Sequence, residues 1–115
     1  MSWLSTLVVF LAGCEKVEVV VESNTSWEGD ICPNDNCASA NSGHKFRGSG
    51  NKSFDDSDYE SGVLGGICYW FGNTTDSGYV RVYIREKDIL GSSEHTKHQN
   101  SAPHGAVSDC WTPSS

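Results

Sequence analysis

The sequence predicts an all-β protein: a small antiparallel β-sandwich of immunoglobulin-like architecture, stabilised by disulfides. Three observations predict it. Gly, Ser, Asn and Asp are abundant while helix formers such as Leu, Ala and Gln are sparse, a balance that favours strands and turns. Short segments alternate apolar and polar residues with period two, as half-buried strands do. Five cysteines in 115 residues point to an oxidising compartment. A chain of this length fits one domain and buries enough surface for one modest core.

The first segment stands apart from that pattern. Trp3 to Ala12 (WLSTLVVFLA) is apolar apart from Ser5 and Thr6. A helix that crosses hydrocarbon needs about twenty residues and this run has about ten, so it reads as the apolar core of an export signal. It ends at Leu11-Ala12-Gly13-Cys14, followed by the charged pair Glu15-Lys16. This stop resembles the lipobox of bacterial lipoproteins: an aliphatic residue, two small ones, then a cysteine. The resemblance covers only this segment. It implies that Cys14 receives a diacylglyceryl group through its thiol, that a peptidase removes residues 1–13, and that residues 14–115 form the mature domain. Two or three acyl chains, each methylene contributing about 0.8 kcal/mol on burial, make a lasting anchor. The expected location is therefore the bacterial cell envelope, with the membrane as partner through lipid. A cut by an ordinary secretory peptidase, giving a secreted protein, is the alternative.

Behind the anchor, Glu15 to Ser23 (EKVEVVVES) puts Val17, Val19 and Val21 on one face and Glu18 and Glu22 on the other, a strand close behind Cys14. Asn24-Thr25-Ser26 turns the chain into a partner strand, Trp27 to Ile31. Cys32-Pro33-Asn34-Asp35-Asn36-Cys37 is dense in turn formers, and its two cysteines suit a small ring disulfide. From Ala38 to Ser53 the chain is polar and glycine-rich, with short edge strands at His44–Arg47 and Ser53-Phe54. Val63 to Phe71 is apolar on both faces, as in a central strand. Tyr79 to Arg85 (YVRVYIR) alternates, with Val80, Val82 and Ile84 inward and Tyr79, Arg81, Tyr83 and Arg85 outward. With the turn at Gly72–Gly78 between them, these two segments predict a hairpin. Ser92 to Gly105 reads as a long polar loop, and Ala106 to Trp111 as the closing strand.

Cys68 and Cys110 fall in two of these strands and form the natural second bridge after Cys32–Cys37, although four cysteines allow three pairings. The fifth cysteine is then left for lipid. The immunoglobulin spacing of Cys, Trp, Tyr and Cys is not met, since Trp70 follows Cys68 too closely and Tyr83 is followed by Arg85. The expectation is thus a shared architecture without family membership.

Composition narrows the function. The net charge is −7, and without a basic patch an acidic chain repels phosphate backbones, so nucleic acid is not an expected partner. G-x-S-x-G, H-E-x-x-H and P-loop motifs are absent from the sequence, and a non-catalytic protein without cofactor is expected. Asp55, Asp56, Asp58 and Glu60 do not follow the EF-hand spacing, and a solvated loop is preferred over a calcium site. His95, His98 and His104 with Glu94 lie in the polar stretch, where zinc ligation is the lesser reading, so no metal is assigned. The row Tyr79, Arg81, Tyr83, Arg85 is the candidate ligand face, because Tyr and Arg are enriched at binding surfaces. Its competing reading is a set of cross-strand pairs that stabilise a solvated sheet. Two functions follow as expectations: a binding or adhesion module for an envelope protein or glycan, or a small envelope enzyme inhibitor or accessory subunit.

Overall fold

A computed structural model of the chain describes residues 16–33 and 44–113. The expected signal segment, Cys14 and Cys37 lie outside them. Eight strands form two four-stranded antiparallel sheets, and no helix longer than one turn occurs among the described residues. The strands are β1 (Lys16–Ser23), β2 (Ser26–Pro33), β3 (His44–Ser49), β4 (Lys52–Phe54), β5 (Ile67–Asn73), β6 (Val80–Asp88), β7 (Gly91–Asn100) and β8 (Ala106–Trp111). The first sheet has the order β4-β1-β6-β7 and the second β3-β2-β5-β8. The small β-sandwich expected from composition and period is what the chain forms. Strands β2 and β3, and β6 and β7, are neighbours within one sheet, whereas β1 and β2, and β5 and β6, lie in opposite sheets, so the hairpin expected of Val63–Phe71 with Tyr79–Arg85 does not form.

The core follows from the alternation. Val19 and Val21 of β1, Val80, Val82 and Ile84 of β6, and Ile67, Tyr69 and Phe71 of β5 are buried between the sheets, joined by Trp27, Ile31, Phe54 and Val107. Trp27 lies edge-on to Phe71, with centroids 5.5 Å apart, and to Phe54, at 6.1 Å. Its indole N–H donates to the Gly50 carbonyl at 2.9 Å, so the one polar atom of the ring is satisfied at the sheet end. Gly29 sits opposite Phe71 in the β2–β5 register. A Cβ there would run into the Phe71 ring and the Trp70 carbonyl, so glycine admits the aromatic layer at this point.

One expected loop is a strand. Residues 92–100, read as the start of a polar loop, belong to β7, an edge strand ten residues long. Its side chains carry no apolar face because an edge strand needs none. Its backbone pairs with β6 from Asp88↔Gly91 to Val80↔Asn100, and polar, charged edges discourage further pairing. The Asp88 carboxylate closes the β6–β7 turn by accepting the N–H groups of Leu90 (2.8 Å) and Gly91 (3.1 Å). A bulge opposite Tyr83, where Val82 pairs with His98 but Ile84 with His95, turns the Thr96 carbonyl inward. There it accepts the Tyr69 hydroxyl from the other sheet, and burial pushes that hydroxyl's pKa up to about 12.

The sandwich has two unlike ends. Turns 24–25, 50–51, 74–79 and 101–105 gather at the Ser23 end. The opposite end holds Lys16, where the chain enters β1, together with the 55–66 connection and the β6–β7 turn. Among the described residues, Leu64, Ile89 and Leu90 are the exposed large aliphatic side chains, and all three lie at the Lys16 end.

Candidate functional site

The row expected to form a ligand face lies on the outer surface of the first sheet, with Tyr79 just before β6. Arg81 donates to Glu22 at 2.9 Å and to the Gln99 side-chain oxygen at 2.7 and 3.0 Å. The Tyr83 hydroxyl donates to Glu22 at 3.1 Å, and Lys97 caps the Tyr83 ring 4.8 Å from its centroid. Arg85 and Lys87 meet on Glu18 at 3.1 and 3.2 Å. Tyr83 is buried by these neighbours. The donors of this face are therefore engaged within the protein, as in a cross-strand stabilising network.

The network fixes a pH dependence. Burial alone would raise the Glu18 pKa, but hydrogen bonds and charge from Arg85 and Lys87 outweigh it and hold the carboxyl below its ordinary value of 4.5. Glu22 is lowered chiefly by Arg81. Carboxylates depressed in the folded state contribute stability above the unfolded pKa and lose it as pH falls through the folded one. The urea midpoint is therefore expected to fall as pH drops below about 4.5. The gap between wild type and Glu18→Gln should narrow over the same range. A gap that stays constant down to about pH 2.5 would remove Glu18 from this account.

The histidines are dispersed. His95 stacks on Trp111 with centroids 4.7 Å apart and contacts Glu86 at 3.3 Å. His98 pairs with Asp109 at 2.6 Å, Glu94 pairs with Lys97 at 2.7 Å, and His104 lies in the β7–β8 loop. The acidic run folds on itself, with Asp55 accepting from Ser57 and Asp58 from the Asp55 N–H at 2.9 Å. Among the described residues no group of three or more metal-type donors converges.

Cys68 and Cys110 form a disulfide between the neighbouring strands β5 and β8 on the outer face of the second sheet. Cys32 is disulfide-bonded too, and Cys37, its expected partner, lies outside the described residues. In register, Cys32 pairs with Cys68 and Cys68 with Cys110, so three cysteines form one row across β2, β5 and β8.

The same outer face carries an open groove that the sequence did not single out. Along β5, Ile67, Tyr69 and Phe71 point into the core while Cys68, Trp70 and Gly72 point outward. Trp70 is 38% exposed. Its six-membered ring extends over Gly72, where a Cβ would sit 2.8 Å from Cη2, so glycine lets the indole lie along the sheet. Glu28 and Asp30 of β2 stand beside it, in loose ion pairs with Arg47 (3.5 Å) and Lys45 (3.6 Å) of β3. A hollow of about 900 Å³ runs from Trp70 toward the Ser23 end, walled by Glu28, Arg47, Ser49, Thr74 and His104. A second, of about 330 Å³, runs the other way past Asp30 and Lys45. They share Trp70, Glu28 and Arg47. His104 holds a left-handed backbone, φ 52°, fixed by its N–H to the Thr75 carbonyl at 3.0 Å. Such strain in a non-glycine residue collects at binding sites.

No protein-family model matches the chain, and neither a curated protein nor a solved structure matches it. Function must therefore be argued from the groove and its surroundings.

Proposed function

We propose that the protein is a non-catalytic binding module of the bacterial cell envelope, lipid-anchored at Cys14, with its binding surface on the β3-β2-β5-β8 sheet. The observation that carries the binding reading is the contrast between the two outer faces. One has its Arg, Tyr and Glu side chains bonded to each other; the other has an exposed indole in a preformed groove lined by loosely paired charges. Aromatic platforms with a few convergent polar groups are how concave sites hold ligands. The anchor reading rests on the lipobox and gains support from the shape. Lys16 follows Cys14 closely, and Leu64, Ile89 and Leu90 project from the same end. A bilayer there would receive these aliphatic side chains and leave the groove facing sideways into the envelope.

Mass spectrometry of the mature protein from a bacterial envelope tests the anchor. The expected N-terminus is Cys14 carrying a diacylglyceryl group, and Cys14→Ala should leave the membrane fraction. A chain beginning at Met1, or an unmodified Cys14, would overturn the anchor. Binding is tested by capture of envelope components. Trp70→Ala should abolish it and Arg81→Ala should not; the opposite result would return the site to the first sheet.

A further inference from the structure

We infer that the ligand of the Trp70 groove is an uncharged saccharide chain, with one sugar ring stacked on the indole and its neighbours lying in the two hollows. This rests on the reading of that sheet face as the binding surface. The outer face of an indole is electron-rich, and a pyranose ring presents a face of polarised C–H groups that such a surface attracts. The ring is held down along the sheet by the missing Cβ at Gly72, so its exposed face is available to a flat ligand. The groups around it suit hydroxyls. Glu28 and Asp30 offer carboxylate oxygens that accept from adjacent hydroxyls, and Arg47 offers a planar fork of donors. Their ion pairs are long and exposed, with the Arg47 side chain 84% and the Lys45 side chain 70% accessible. Turning from each other toward a ligand therefore costs them little.

Charge narrows the ligand further. Glu28 and Asp30 balance Arg47 and Lys45 along the groove, so neither an anionic nor a cationic polymer gains net attraction. Nucleic acid can also stack on an aromatic ring, but its backbone needs a basic track, and here each base stands beside an acid in a chain of charge −7. A protein partner would call for a cluster of apolar anchors, whereas Trp70 is the sole large exposed apolar side chain on this face among the described residues. The hollows on either side of Trp70 give a chain room to extend in both directions.

The test is titration of the protein as isolated from the envelope, in detergent, with soluble tetrasaccharides of glucose, mannose and N-acetylglucosamine, followed by calorimetry. At least one should bind saturably, with an affinity nearly constant between about 50 and 500 mM salt. Trp70→Ala should weaken it by about tenfold or more while Trp70→Tyr keeps most of it. Glu28→Gln should weaken it less. Thermal unfolding of each variant should match wild type, since Trp70 and Glu28 lie outside the core. Saccharide binding that survives Trp70→Ala unchanged would overturn the assignment. If none of the three sugars binds but Trp70→Ala still abolishes envelope capture, the ligand class is wrong and the binding surface stands. If Trp70→Ala alters neither, both fall.

Discussion

Alanine at Trp27 is expected to reduce the free energy of unfolding by about 3–5 kcal/mol, the range for emptying a large aromatic site in a packed core. Trp27 is fully buried and touches both faces of the sandwich through Phe54 of β4 and Phe71 of β5. Removing it opens a cavity between two aromatic rings whose backbones are fixed in different sheets, so the site cannot simply close. It also leaves the Gly50 carbonyl without the indole donor at 2.9 Å. Small domains have only about 5–15 kcal/mol in total, so the variant should lie close to its folding threshold. Urea unfolding followed by far-ultraviolet circular dichroism measures this without relying on the lost chromophore. Trp27→Phe should recover much of the loss by refilling the space. A cost below about 1 kcal/mol for the alanine variant would show that the aromatic layer is not what joins the sheets.

The second large effect is expected from the double variant Cys68→Ala/Cys110→Ala. The disulfide spans a sequence separation of 42 residues, and the chain-entropy account assigns a loop of that size about 4 kcal/mol. The bond ties β8, the last strand, to the centre of its sheet. Its loss should therefore release the C-terminal strand first and expose Val107 and the Trp111 that packs on His95. Amide exchange should show β8 losing protection ahead of β2 and β5. Uniform loss of protection across the sheet would mean that the fold opens as one unit instead.

The strands that were legible in the sequence are those whose side chains record burial. β1, β6 and β8 alternate where one side of each meets the core, although β6 runs on to Asp88, past the alternating stretch that ends at Arg85. β7 left no such trace, since both of its faces are largely exposed and its place is fixed by backbone pairing to β6. The order of strands in each sheet was equally hidden, because it depends on contacts between residues far apart in the chain. Trp70 was concealed by its neighbours: in a segment apolar on both faces, period two does not say which residues face outward. The signal that would have found it is Gly72, the small residue one pleat along, which leaves room for a ring above the sheet. Tyr83 shows the reverse. Its outward direction was legible, but the bulge that brings Lys97 over its ring was not.

The row of cysteines across β2, β5 and β8 means that single and double cysteine variants are different chemical experiments. In the double variant the row contains no thiol. In Cys110→Ala alone, the Cys68 thiol stands directly beside Cys32, its register partner, which is itself in a disulfide. A thiolate there can attack the Cys32 sulfur, forming a 32–68 bond and releasing the former partner of Cys32 as a new thiol. The lesion would then migrate along the row instead of staying where it was made. Peptide mapping after alkylation should find the alkylated thiol displaced from Cys68 in Cys110→Ala. In Cys32→Ala/Cys110→Ala, Cys68 should be alkylated along with the orphaned partner of Cys32. Alkylation confined to Cys68 in Cys110→Ala would show that the neighbouring sulfurs are not in reach. Where a thiol is left in this sheet, its neighbours decide which bond is lost.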